Sequence, residues 1–293
     1  MKIVNVIGGI GNQLFQYAFY FSLKNRFSDA VKLDVLDFSG YELHQGYELE
    51  RVFSLKEDYC SEIEKNQIYK KPFLYRWRRR LRLNPRLGFI EKKSERLRAI
   101  DIPQKHESLD VYYKGYWQSF NYFDDVEQLL REKLVFPSFT EEKNLALLNK
   151  MLNKESVSIH VRRGDYQNHP TLGGLCDVEY YTAAINLIKE EVAMPLFIIF
   201  SDDISWCQQN LDVEGAIYVD WNIDGLSYRD MQLMSLCAHN IIANSTFSWW
   251  GAWLNANPNK MVITPDKWMR DVETIDGIVP ETWRIISTEK VTS

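Results

Sequence analysis

From residue 156 onward, short apolar runs alternate with amphipathic stretches, and this alternation limits the fold more than any other feature of the chain. Residues 156–159 form a strand-like run in which Val157 and Ile159 alternate with serines, and the strand ends at Arg162. Residues 178–192 place Tyr181, Ile185 and Ile188 on one helical face. Residues 196–200 are a continuous apolar strand closed by Ser201-Asp202-Asp203. A short helix near 204–210, a strand at 217–219, a helix at 228–237 and a strand at 240–243 follow. A helix from about Trp249 and a strand at 261–264 complete the series. Strands separated by helices predict a parallel, doubly wound sheet.

The first half repeats the pattern. Residues 3–7 read as a buried strand, Gly8-Gly9-Ile10-Gly11-Asn12-Gln13 as a loop, and 14–27 as a helix with Leu14, Tyr17, Ala18 and Phe21 at helical spacing. A second strand at 30–35 makes a βαβ opening. The glycines let a ligand approach backbone N–H groups at a helix start, although a tight turn without a ligand reads equally well. The third glycine position of a dinucleotide fingerprint is Leu14, so the motif is broken. An aromatic strand at 111–117 and helices at 124–134 and 141–152 follow. A chain of 293 residues suits two domains. The expected architecture is α/β: two Rossmann-like domains, 1–145 and 146–293, facing a cleft.

Three strand ends in the second half carry chemistry. The first has adjacent Arg162 and Arg163, then Gly164 and Asp165. Open α/β sheets bind ligands at the carboxyl ends of their strands, and paired guanidinium forks match phosphate oxygens. An Arg–Asp salt bridge closing a surface turn is the plain alternative. The second has Asp202 and Asp203, where a carboxylate can accept the adjacent N1–H and N2–H of guanine. The third has Asn244, Ser245, Thr246 and Ser248 just before a helix, where hydroxyls and unpaired N–H groups meet. Alone, that cluster is an ordinary N-cap. With a double arginine in the same sheet, a nucleotide diphosphate is the better account.

Several classes are excluded. A net charge of −5 and a pI near 5.7 do not suit a nucleic-acid binder. There is no D-x-D, H-E-x-x-H, G-x-S-x-G or Cys/His cluster, so no metal site and no cofactor are expected, and arginines replace a metal in neutralising a diphosphate. Cys60, Cys176, Cys207 and Cys237 are scattered, as reduced thiols of a cytoplasmic protein would be. The amino terminus enters a strand pattern directly, and no apolar run reaches membrane-spanning length. Residues 70–98, from Lys70 to Arg98, hold twelve basic residues against Glu91 and Glu95. They read either as a solvated helical face or as a contact with an acidic glycan or, peripherally, with anionic lipid on the inner face of a membrane.

The chain resembles the GDP-fucose-dependent α-1,2-fucosyltransferases of glycosyltransferase family 11, in their short bacterial form. The matching segments are Gly8-Gly9-Ile10-Gly11-Asn12-Gln13-Leu14-Phe15-Gln16-Tyr17-Ala18, Tyr47-Glu48-Leu49, His160-Val161-Arg162-Arg163-Gly164-Asp165-Tyr166, and Ile241-Ile242-Ala243-Asn244-Ser245-Thr246-Phe247-Ser248-Trp249-Trp250. The resemblance implies a GT-B fold with the nucleotide sugar on the second domain and the acceptor on the first. It implies inverting, metal-independent transfer of L-fucose from GDP-fucose to the 2-hydroxyl of a galactose-terminated oligosaccharide or glycolipid, as in O-antigen synthesis. It also implies that Arg162 holds the β-phosphate and that His160 and Asp202 lie near guanine. Gly11, Asn12 and Gln13 would face the donor across the cleft, and Phe247 would join Asn244, Ser245, Thr246 and Ser248 at the donor. Arg162, Arg163 and Asp165 are the catalytic candidates. Another GT-B nucleotide-sugar transferase, or a glycan-binding protein keeping the fold, is the rival expectation.

Overall fold

The computed structural model describes residues 1–27, 30–40, 45–69, 110–167, 169–272 and 275–288, and the backbone of 87–91. The chain divides into two compact units, Met1–Val135 and Phe136–Ser293.

The first unit holds four parallel strands in the order β2-β1-β4-β3, with β1 Lys2–Asn5, β2 Val31–Asp34, β3 Leu87–Glu91 and β4 Asp110–Lys114. The helix Ile10–Arg26 follows β1 and is buried on nearly every side through Leu23. It begins at Ile10, earlier than its apolar spacing suggests. The carboxylate of Glu48 accepts from the Ile10 N–H, and a capped first turn tolerates Gly11.

The second unit holds six parallel strands in the order β10-β9-β8-β5-β6-β7. They are β5 Ser156–Val161, β6 Leu196–Ser201, β7 Ile217–Val219, β8 His239–Ile241, β9 Val262–Pro265 and β10 Arg284–Ile286. The Val/Ser alternation in β5 now has a cause. Val157, Ile159 and Val161 pack on Tyr180, Tyr181, Ile185 and Ile188 of the helix Val178–Glu191. Ser158 faces the other way and its Oγ accepts from Asn240 Nδ2 of β8 at 2.7 Å.

The division at 135/136 falls earlier than the expected 145/146. Arg229, only 3 % exposed, donates to the carbonyls of Pro137 and Ser138 and to Glu141. Leu147 and Met151 pack with Leu233 and Met234, which brings the helix Glu142–Met151 into the second unit. The strands β3 and β10 add to those expected from the sequence pattern. The expectation for residues 70–98 lies outside the described residues, apart from the β3 backbone. Among the described residues no helix is long and apolar enough to cross a membrane.

Candidate active site

The β5/β8 seam is where the chain's path across the second sheet reverses. From β5 it runs out through β6 and β7, then returns to the opposite side of β5 at β8. A crevice opens at the carboxyl ends of two such strands, and ligands of open α/β sheets bind there. Its rim is formed by the residues after Val161 on one side and after Ile241 on the other. These are two of the three strand ends singled out in the sequence, and the third, Ser201-Asp202-Asp203, ends the neighbouring β6.

The two arginines are held differently. Arg162 Nη2 pairs with Asp165 Oδ1 at 2.8 Å and its Nη1 with Asp202 Oδ2 at 3.0 Å. Its guanidinium lies 5.7 Å from the Tyr166 ring, and Tyr166 Oη donates to the Asn244 carbonyl at 3.4 Å. Arg163 turns to the other side. Its guanidinium stacks 4.0 Å from the Trp206 ring and its Nε pairs with Asp203 at 3.4 Å. Consecutive residues leaving a strand point to opposite faces, so Arg162 follows the face of His160, beside Phe247, and Arg163 the face of Val161.

Asp202 is committed to this loop. Besides Arg162 it accepts the Arg163 backbone N–H at 2.9 Å. Gly164 permits the approach, since a Cβ there would lie 2.8 Å from Asp202 Oδ2. A base edge would share a carboxylate that already serves both arginines. Asp203 caps the helix Ile204–Asn210 through the Trp206 N–H.

Opposite stands the helix Thr246–Leu254, capped by Ser245, whose Oγ accepts from the Phe247 N–H at 3.3 Å. Its first turn holds no acidic residue, so the positive end of its dipole is not countered there. Thr246 and Phe247 are half-buried, whereas Ser248 is fully buried and donates to the Ser245 carbonyl. Asn244 is a brace. Its Nδ2 donates to the carbonyls of Leu172 and Trp268, and its Oδ1 accepts from the Cys176 thiol.

His160 lies beneath this rim, 6 % exposed, its ring 5.6 Å from Phe247. Burial, aided by the nearby Arg162 charge and opposed by Asp202, pushes its pKa down to about 3, so the imidazole is neutral. Its Nδ1 is buried without a hydrogen-bond partner among the described residues. Leaving such an atom unpaired costs about 1–3 kcal/mol, a cost a bound ligand can relieve.

In the first unit the expected trio separates. Gln13 is fully buried and saturated: Nε2 donates to the carbonyls of Gly8 and Gly46, and Oε1 accepts from the Glu48 N–H. It staples the glycine loop and presents nothing outward. Gly11 is buried as well, and Asn12 stays half-open. The start of this helix, unlike that at Thr246, is already met by Glu48, which suits it poorly for phosphate.

The sequence profile of glycosyl transferase family 11 matches residues 84–285. An α-1,2-colitosyltransferase of Escherichia coli is 30% identical, with 96% of this chain and 97% of that protein covered. Galactoside α-(1,2)-fucosyltransferase 2 of Oryctolagus cuniculus is 28% identical over 55% of this chain and 46% of its own length. Among solved structures, the fucosyltransferase NodZ from Bradyrhizobium superposes with a TM-score of 0.54 at 15% identity, covering 85% of this chain and 91% of that one, a likeness of fold. With a profile match over most of its length and a full-length relative, this α/β chain of the GT-B class belongs to glycosyltransferase family 11.

Proposed function

We propose that this glycosyltransferase moves L-fucose from GDP-fucose to the 2-hydroxyl of a terminal galactoside, with inversion and without a metal, in building a glycan such as an O-antigen. The observation that carries the reading is Arg162, oriented by Asp165 and Asp202 at the β5/β8 crevice opposite an uncountered helix start. The acceptor oxygen attacks the anomeric carbon while the bond to the diphosphate oxygen breaks, through an oxocarbenium-like transition state. Negative charge grows on the departing GDP, and fixed donors aimed at growing charge speed such a step. Arg162 supplies the charged donor, and the Thr246 hydroxyl and backbone N–H groups supply neutral ones. Neutral His160, with its unpaired Nδ1, suits a guanine edge. Asp165 and Asp202 then act chiefly by orienting Arg162, and Gln13 and Asn244 by bracing the loops.

The colitosyl donor is a second reading, favoured by the full-length likeness to the colitosyltransferase. Colitose is fucose without its 3-hydroxyl. Both GDP-sugars should be offered with a panel of terminal β-galactosides, and the product linkage read by NMR. A 2-linked fucoside is the expected result. Transfer of colitose alone would reassign the donor. Binding of galactoside with no release of GDP from either donor would leave a glycan-binding protein.

A further inference from the structure

The first sheet has a reversal of its own. From β1 the chain goes to β2 on one side, and β4 later returns to pair on the other. The crevice at the β1/β4 seam is therefore rimmed by the glycine loop after Asn5 and by the turn after Lys114. Two amides join these segments. Gln16, fully buried, accepts from the Ile7 N–H and donates to the Gly115 carbonyl. Gln118 Nε2 donates to Asn12 Oδ1 at 2.9 Å.

The turn that presents Gln118 is held under strain. Trp117 has φ +55°, a conformation costing about 1–2 kcal/mol for a residue with a Cβ. Its ring is 1 % exposed, stacked 4.2 Å from Phe19 at an interplanar angle of 10° and edge-on to Tyr122. Packing fixes the ring, the left-handed residue turns the chain, and Gln118 is directed at the start of the helix Ile10–Arg26.

In this hydrogen bond the Asn12 amide turns its oxygen to Gln118. With Oδ1 engaged by a donor, Nδ2 is the end left over, and it makes no hydrogen bond among the described residues. Gly8 leaves room for it, since a Cβ there would lie 2.9 Å from Nδ2. Turning the amide over would set its NH2 against the Gln118 NH2. We infer that Gln118 is a positioning residue for the transfer reaction, holding Asn12 so that Nδ2 donates to a substrate oxygen. This rests on the function proposed above and adds to it a residue outside the motifs that first drew attention. The oxygen belongs either to the nucleotide sugar or to the acceptor sugar.

The test is a double-mutant cycle read with GDP-fucose and a galactoside acceptor. Asn12→Ala removes the donor and should lower kcat/KM about tenfold, the worth of one neutral hydrogen bond. Gln118→Leu leaves the amide free to rotate and should cost about three- to tenfold. In the Asn12→Ala background, Gln118→Leu should cost nothing further. Gln118→Glu, nearly the same shape, replaces the donor by an acceptor, turns the amide over, and should lose at least as much as Asn12→Ala with an unchanged melting midpoint. A rise confined to the KM for GDP-fucose assigns the oxygen to the donor, and one confined to the galactoside KM assigns it to the acceptor. Additive losses across the cycle, or a Gln118→Glu enzyme within twofold of wild type, would overturn the assignment of Gln118 alone. No transfer by the wild-type protein would overturn the proposed function along with it.

Discussion

Gly164→Ala is a sharp test of how the arginine loop works. The backbone there is not left-handed, so alanine is conformationally acceptable and the obstacle is steric. The new Cβ would lie 2.8 Å from Asp202 Oδ2 and 3.3 Å from its Cγ, where about 3.5 Å or more is comfortable. The carboxylate must withdraw by roughly 0.7 Å, which would stretch its 3.0 Å contact with Arg162 beyond bonding range. A charge-assisted hydrogen bond is worth about 1.5–3 kcal/mol, and partial exposure of both groups lowers this to about 1–2 kcal/mol. Replacing glycine recovers about 0.4–1 kcal/mol through the unfolded chain. The melting midpoint should therefore move by no more than about 4 °C. Turnover should fall about five- to thirtyfold, because Arg162 keeps only Asp165 to orient it. The assay is kcat at saturating GDP-fucose beside a thermal melt, in wild type, Gly164→Ala, Asp202→Ala and the double variant. In the Asp202→Ala background no carboxylate remains to clash, and Gly164→Ala should be nearly silent. A single variant that melts earlier but keeps kcat within twofold would refute the reasoning, reducing the Asp202 contact to a structural one.

Three further outcomes are expected. Arg162→Lys keeps the charge but not the planar fork that spans Asp165 and Asp202, and kcat should drop about ten- to a hundredfold, further in Arg162→Ala; near-normal turnover in Arg162→Ala would remove the central claim. Activity should persist in excess EDTA, and a loss restored by Mg²⁺ or Mn²⁺ would reassign the neutralisation of the diphosphate. Withdrawal from water pushes the Asp230 carboxyl up to about 7, against the Asn222 hydrogen bond that favours its charged form. The folded protein then keeps a proton that the unfolded chain has lost, so stability should fall as pH rises from about 4 to 7. Denaturant midpoints across that range should show this slope in wild type, and Asp230→Asn should flatten it; an equal slope in both would exclude Asp230 as its source.

The parallel sheets were legible because strand and helix periods differ and both halves repeat the alternation. The strand ends were legible too, since Arg162, Asp202 and Ser245 stand where apolar runs stop. Other features depend on tertiary placement. Adjacent arginines look equivalent in sequence, and only the positions of Trp206 and Tyr166 separate Arg163 from Arg162. Asn12 and Gln13 are neighbouring amides, yet one is half-open and the other saturated by carbonyls as distant as Gly46. Gln118 follows an aromatic run that reads as unbroken strand, and the left-handed turn at Trp117 leaves no sign in residue type. The strand Leu87–Glu91 is hidden in a stretch whose basic residues dominate its pattern.

The place of β5 in its sheet has a bearing on biosynthesis. It is the first strand of its unit to leave the ribosome, yet it ends up in the interior of the sheet, and its bond to β8 joins residues 82 apart in the chain. A nascent chain reaching only through Val219 can pair β5 with β6, and β6 with β7, but leaves the other edge of β5 bare. Arg162 is already present on that half-sheet, without the helix start that must face it. Donor binding should therefore appear during synthesis only once residues 239–248 have emerged, and until then the bare edge of β5 is a place for a chaperone to cover.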